Sequence, residues 1–131
     1  MKPTKIWANL GIKDVARTIE FYSKLGFTPN KGHDKNKELT SFLFGNDDFV
    51  VNFFLKDVLK ESLKGELANL ALGNEIIFTL WAESKEEVDK WAEEVRNTGG
   101  TIFSEPEAFG KGYYGFGFSD PDGHKWNVFH M

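Results

Sequence analysis

The chain ends in DPDGHKWNVFHM, where an Asp-Pro-Asp-Gly turn delivers Trp126 and then Asn127 onto a final extended run. Such turns use residues that preset φ, tolerate a left-handed backbone or hydrogen-bond their own main chain, so they fix the direction in which the next strand departs. A carboxylate at position 127 would supply a metal ligand or a general base. Asn127 instead supplies a neutral amide, which donates and accepts hydrogen bonds but offsets no positive charge. Two further asparagines, Asn9 and Asn52, also stand in apolar, strand-like runs. A buried amide must find partners, and the sequence leaves two sources open: a bound ligand, or one another and water inside a small polar pocket.

Other chemistry is poorly supplied. The chain has no cysteine, which removes disulfides, thiolate nucleophiles and cysteine metal sites. Of its three histidines, His33 lies in a charged loop and His124 in the turn before the last strand. His130 has the opposite strand parity to Asn127, so it should face the helices or a neighbour. None has a second histidine or a glutamate at ligand spacing. Serines and aspartates are present without a nucleophile-elbow context, and Gly110, Gly112, Gly115 and Gly117 do not open a helix as a phosphate loop would. The stretch EAFGKGYYGFG carries the remaining functional signal. Its glycines predict mobility, while Phe109, Lys111, Tyr113 and Tyr114 offer aromatic faces, a cation and hydroxyls, the equipment of a lid; the alternative is a solvent loop with a few packed aromatics.

These residues sit in a chain of 131 residues, 40% hydrophobic and 27% charged with both signs mixed, a size and balance that predict one soluble globular domain. A formal net charge of −4 argues against nucleic acid or an anionic membrane as partner. The opening MKPTKIWANLGIKD has no apolar run of signal length, and a cytoplasmic location is the expectation. Aromatic residues reach 15%, with thirteen phenylalanines, which calls for an aromatic core or an aromatic-lined pocket.

The elements are set by period and punctuation. KIWANLGI reads as a strand leading to Asp14, an N-cap for VARTIEFYSKL, whose Val15, Ile19, Tyr22 and Leu25 form the expected buried stripe, with Arg17, Glu20 and Lys24 facing water. After the polar FTPNKGHDKNKE, the runs either side of Gly-Asn-Asp-Asp in LTSFLFGNDDFVVNFFL give a hairpin. Residues 57–73 read as a connection with one or two helical turns, interrupted at Gly65. NEIIFTLWAE is a strand, and SKEEVDKWAEEVRNTGG a helix opened by a capping box, Ser84 with Glu87. TIFSEP is a short strand, EAFGKG a loop, and the remainder a hairpin about the Asp-Pro-Asp-Gly turn.

The order strand, capped helix, strand, hairpin occurs twice, with the caps Asp14 and Ser84 seventy residues apart and Asn52 and Asn127 as counterparts. This predicts an α+β class: two tandem βαβββ modules forming a curved mixed sheet around a cleft, helices outside, in a single domain 1–131 with halves at 1–56 and 74–131 and a connection at 57–73.

The chain resembles the vicinal oxygen chelate superfamily, the glyoxalase, bleomycin-resistance and dioxygenase fold. The resemblance spans nearly the whole chain and is carried by NLGIKDVARTIEFYSKLGF at 9–27 and DPDGHKWN at 120–127. In metal-dependent members it implies ligands near the start of the first strand and on the last strand of each half. Carried over position by position, these fall on Trp7, Ile77, Asn52 and Asn127, with Glu75 and Asn9 the nearby alternatives for an unconventional site. Trp and Ile do not bind metals, and two neutral amides do not offset a divalent charge, so no metal and no cofactor are expected.

Two functions remain from different classes. One is a bleomycin-resistance-like protein that holds a flat organic molecule in an aromatic cleft without a metal; the other is a metal-dependent glyoxalase, lactoylglutathione-lyase-like or dioxygenase-like enzyme. Ligand chemistry favours binding. The expected contacts, on shared strand parity and the lid, are Trp7, Asn9, Asn52, Phe54, Thr79, Trp81, Tyr113, Asn127 and Phe129; catalytic residues are not assigned. A homodimer is the expected assembly, because exposed aromatic sheet faces gain by burial in a two-fold partner.

Overall fold

Both capped helices form where the sequence places them. The computed structural model describes residues 1–32 and 37–131; His33 lies outside the described residues. The chain divides into two units, Met1–Leu67 and Ala68–Met131.

The first unit runs β1 (Trp7–Ile12), α1 (Val15–Lys24), β2 (Thr28–Pro29), β3 (Leu39–Phe44), β4 (Phe49–Leu55) and α2 (Lys56–Leu63). Its strands make one sheet in the order β1-β4-β3-β2, with β1 parallel to β4 and the other neighbours antiparallel. Asp14 caps α1, its side chain accepting from Arg17 N at 2.9 Å. The buried stripe of α1 differs from the expected one: Thr18, Phe21 and Tyr22 are buried, whereas Val15, Ile19 and Leu25 are only half-buried and Arg17 is half-buried rather than exposed. Thr18 tolerates the interior because its hydroxyl donates to Asp14 O at 3.0 Å, leaving no unsatisfied donor. Tyr22 then anchors an aromatic core, its ring 4.7 Å from Phe53, 5.6 Å from Phe42 and 5.9 Å from Phe44. The expected helical turns after β4 are present as α2, which stops at Lys64 in the left-handed conformation, one residue before Gly65.

The second unit repeats the order as β5 (Ile77–Trp81), α3 (Lys85–Arg96), β6 (Thr101–Phe109), β7 (Tyr113–Ser119) and β8 (Lys125–His130), in a sheet ordered β5-β8-β7-β6 with β5 parallel to β8. The described residues thus form two four-stranded mixed sheets and three helices, the tandem βαβββ arrangement of an α+β protein. Ser84 caps α3 through Glu87 N at 3.1 Å, but Glu87 reaches back to the amide of Glu83 at 2.7 Å, one residue before the cap. Strand alternation sorts this sheet: Phe116, Phe118, Trp126 and Val128 are buried on the side of Val88, Ala92 and Val95 of α3, and Asn127 and Phe129 take the opposite face.

Residues 107–109 are not loop. β6 continues through Pro106 to Phe109, with register shifts between Ile102 and Ser104 and between Ser104 and Glu107. Proline cannot donate to a ladder, and an irregular edge strand accommodates it. The expected mobile lid is therefore a hairpin with only residues 110–112 between its strands, where Gly110 and Gly112 adopt φ of 57° and 86°. Among the described residues no helix is long and apolar enough to cross a membrane.

Candidate binding cleft

The second unit contains a cavity of about 160 Å³ on the sheet face away from α3. Ile77 of β5 and Asn127 and Phe129 of β8 line one part, and Phe103, Ser104, Glu107 and Phe109 of β6 another. Between them lie Gly115, Phe116 and Gly117 of β7. The glycines make the space. A Cβ on Gly117 would stand 2.5 Å from the Phe103 ring, and one on Gly115 would stand 2.5 Å from the Phe129 ring and 2.2 Å from the Val128 carbonyl oxygen. Two aromatic side chains thus lie across β7 from neighbouring strands, over positions where any larger residue would collide. Phe129 is braced further by Phe109 at 4.5 Å and Tyr113 at 6.0 Å, and Phe109 stacks on Tyr113 with centroids 5.7 Å apart.

Asn127 lines this apolar space with its Oδ1 buried and without a hydrogen-bond partner. The other unit explains why. There Asn30 Nδ2 donates to Ser41 Oγ at 3.1 Å, Ser41 Oγ to Asn52 Oδ1 at 2.7 Å, and Asn52 Nδ2 to Asn9 Oδ1 at 3.1 Å. Asn52 is registered between Ser41 and Asn9, whereas Asn127 is registered between Gly117 and Thr79. Gly117 brings no hydroxyl to the amide opposite it. The same sheet position is a satisfied network in one unit and an orphaned acceptor in the other.

Of the nine residues expected to contact a ligand, Asn127 and Phe129 meet in this cavity. Tyr113, 39% exposed, supports its wall through Phe109 and Phe129 without lining it. Thr79 lies beside Asn127 on β5, and Trp81, 51% exposed, packs its ring 5.7 Å from His130. Trp7, Asn9, Asn52 and Phe54 belong to the first unit, where Asn9 accepts from Asn52, Phe54 is half-buried and Trp7 is 55% exposed. Phe103, Ser104, Glu107 and Phe109 of the lining were not among the expected contacts. Ending the strand at Pro106 hides Glu107 and Phe109, because parity is then not carried past the proline, whereas Phe103 and Ser104 lie within the expected strand and face the cavity through its pairing with β7. The glycines two apart at 115 and 117, opposite an aromatic strand, were the available signal.

The other candidate groups are engaged elsewhere. Tyr114, expected on a lid, donates its hydroxyl to Asp89 of α3 at 2.6 Å, and that hydrogen bond raises the phenol above its ordinary value, with burial adding to it. His130 Nδ1 lies 2.9 Å from Ala82 O, and His124 donates its main-chain N–H to Asp120 within the turn. Arg96 of α3 forks onto Glu105 of β6, which holds that carboxyl below its ordinary 4.5.

A divalent metal fits this donor set poorly. Among the described residues no three His, Cys, Asp or Glu side chains gather where they would hold an ion. Trp7 and Ile77 open β1 and β5, Asn52 and Asn127 stand on β4 and β8, and none offers a charged donor. Glu75, the nearby alternative, lies in a bend before β5, outside the strand.

Comparison with known proteins agrees with the fold. The model of the Glyoxalase/Bleomycin resistance protein/Dioxygenase superfamily matches residues 6–128. A hypothetical protein from S. aureus is similar over 100% of this chain and 96% of its own, with a TM-score of 0.87 and 26% identity. A glyoxalase-related enzyme from Fulvimarina pelagi aligns over 97% and 88% of the two chains with a TM-score of 0.83 and 22% identity. A lactoylglutathione lyase from Agrobacterium tumefaciens aligns over 98% and 94% with a TM-score of 0.68 and 17% identity, likeness at the level of fold. No curated protein sequence matches the chain.

Proposed function

The chain belongs to the Glyoxalase/Bleomycin resistance protein/Dioxygenase superfamily, and from that premise we propose that it binds a small organic molecule in the aromatic cleft of its second unit without a resident metal. The observation that carries this reading is the buried, partnerless Oδ1 of Asn127 in a cavity walled by Phe103, Phe109 and Phe129. An unpaired buried acceptor costs about 1–3 kcal/mol, and a rotation of the amide that turned this oxygen toward the cavity would let a ligand N–H or O–H recover it. Apolar walls with a few placed polar groups are the usual make-up of a small-molecule site. The metal-dependent alternative has less support, because the positions at which the family resemblance implies ligands hold Trp7, Asn52, Ile77 and Asn127. Trp7, Asn9, Asn52 and Phe54 remain proposed contacts of the first unit, and Thr79, Trp81 and Tyr113 of the second. A homodimer accompanies this reading, supported by the exposure of Trp7, Ile77 and Trp81 on the edge strands β1 and β5.

Two measurements on one sample test the proposal: elemental analysis of protein purified without chelators, and NMR screening of small aromatic compounds. We expect no stoichiometric Zn, Ni, Fe or Mn, and amide shifts centred on β6 to β8. One tightly held metal ion per chain would overturn the proposal in favour of the metalloenzyme.

A further inference from the structure

Three donors face this cleft without an acceptor of their own. The buried atom of the Asn127 amide is Oδ1, so the end turned to the open side is Nδ2. Ser104 lines the cleft with a hydroxyl that bonds none of the described residues. Lys125 stands two residues before Asn127 on β8 and therefore on the same face of the sheet. It is half-buried, and no carboxylate of the described residues pairs with it.

An aromatic ring, rather than an acid, places this ammonium. Ile102 pairs with Phe118 and Ser104 with Gly117, the adjacent residue of β7, so Phe103 is the extra residue of a β-bulge. Phe103 and Ser104 both reach the cleft, and the Phe103 ring lies across β7, 2.5 Å from where a Cβ on Gly117 would stand. Lys125 comes over from β8 and holds its Nζ 4.7 Å from the centre of that ring. The contact uses the charge and leaves N–H donors free on the side away from the ring.

Glu107, the acidic residue of the lining, is at the other end. It is registered through Gly115 with Phe129, two strands across from β8 and four residues along it from Lys125. Strand spacing and rise put roughly 16 Å between the two backbones. Glu107 is exposed and forms no ion pair with Lys125, and solvent and salt weaken its repulsion of an anion at the Lys125 end.

We propose that the cleft binds an organic anion with a planar apolar body, of which an aromatic carboxylate is the simplest, with the carboxylate on Lys125 Nζ and Asn127 Nδ2 and the body against Phe103 and Phe129. The proposal rests on reading the cleft as a binding site and adds the charge of the ligand. It takes the Asn127 amide in the orientation it has, and it sets no limit on ligand size, because the cleft is open beyond the anion. A cationic ring would bring like charge to Lys125 and set a donor against the Asn127 donor.

Benzoate, benzylamine and toluene share one ring and differ in charge, so they serve as probes in titrations followed by backbone amide shifts of the intact protein. Saturable shifts with benzoate at residues 103–104, 115–117 and 125–129, at least about fivefold tighter than with benzylamine or toluene, are expected. Benzylamine or toluene binding there as tightly as benzoate would overturn the ligand class while leaving the cleft standing. Failure of all three to shift those residues would overturn the cleft as well. Lys125→Met keeps an unbranched stem against the Phe103 ring and removes the charge. It is expected to weaken benzoate about fivefold and to leave toluene within about twofold. Unchanged benzoate affinity in Lys125→Met would overturn the proposal. Glu107→Gln, at an exposed position, should change benzoate affinity by less than about twofold, whereas a gain of about fivefold would place the anion beside Glu107 and overturn the assignment to Lys125. Asn127→Leu, checked for folding by its amide spectrum, should weaken benzoate and not toluene; an unchanged preference would overturn the part given to the amide.

Discussion

Gly117 stands opposite Asn127 in the register of β7 and β8, at the place where Ser41 stands opposite Asn52 in the first unit. Ser41 donates to the Asn52 amide oxygen at 2.7 Å, and Gly117 has nothing to donate. One missing side chain leaves both an open space and an unpaired oxygen in the second sheet.

Restoring the first unit's solution should close the second unit's cavity. In Gly117→Ser the new hydroxyl sits next to Asn127, while its Cβ would stand 2.5 Å from the Phe103 ring. Phe103 is exposed and can swing away. We expect a folded protein with stability within about 1 kcal/mol of the parent and loss of aromatic-ligand binding, read by thermal melts and ligand titration. Retained binding would mean that Gly117 does not shape the site.

Gly115→Ala should behave differently, because its nearest obstacle is the Val128 carbonyl oxygen at 2.2 Å, part of the neighbouring backbone. A main-chain atom cannot rotate out of the way, and overpacking of this sort costs about 1–3 kcal/mol or more. Urea unfolding should show that loss; a neutral result would contradict the close approach of β7 and β8.

In the first unit, Ser41→Ala would remove the link between Asn30 and Asn52. Ser41 is 1% exposed but Asn52 is half-buried, so the deserted amide oxygen regains some water, and a loss of about 1 kcal/mol is expected. If chemical denaturation gives no loss, the asparagine chain contributes nothing net to the sheet.

The bond from Tyr114 to Asp89 ties β7 to α3 and has a pH signature. The hydrogen bond to Asp89 raises the Tyr114 pKa above its ordinary 10.0 in the folded state. A raised pKa contributes stability that is complete below the unfolded value and is lost as pH rises through the folded one. Tyr114→Phe should therefore be less stable than the parent at neutral pH, with the gap narrowing at alkaline pH. Urea midpoints for both proteins on either side of that range check it, and a gap independent of pH would exclude the linkage.

Asn127→Glu probes the donor set directly. A carboxylate placed beside Phe129 loses hydration without a cation to offset it, and Ile77 at the head of β5 leaves the shell incomplete. We expect a lower melting temperature that Zn²⁺ or Ni²⁺ does not raise. Metal-dependent stabilisation of this variant alone would show a metal site one residue from completion.

Local signals determined much of this protein. Helix caps at Asp14 and Ser84, the turns at Gly45 and Asp120 to Gly123, and period-two alternation along β4 and β8 are written in short stretches, so the doubled βαβββ order and the absence of charged donors at positions 7, 52, 77 and 127 were legible from residues alone. What an asparagine does was not. Asn52 and Asn127 share sequence context and strand parity, and only the strand paired beside each decides that Ser41 satisfies one and Gly117 leaves the other open. The continuation of β6 past Pro106 was equally hidden, since the irregular pairing that tolerates the proline depends on β7 lying alongside. Hydrogen-bond satisfaction and cavity shape are properties of neighbours brought together across the sheet, and local propensity contains no record of them.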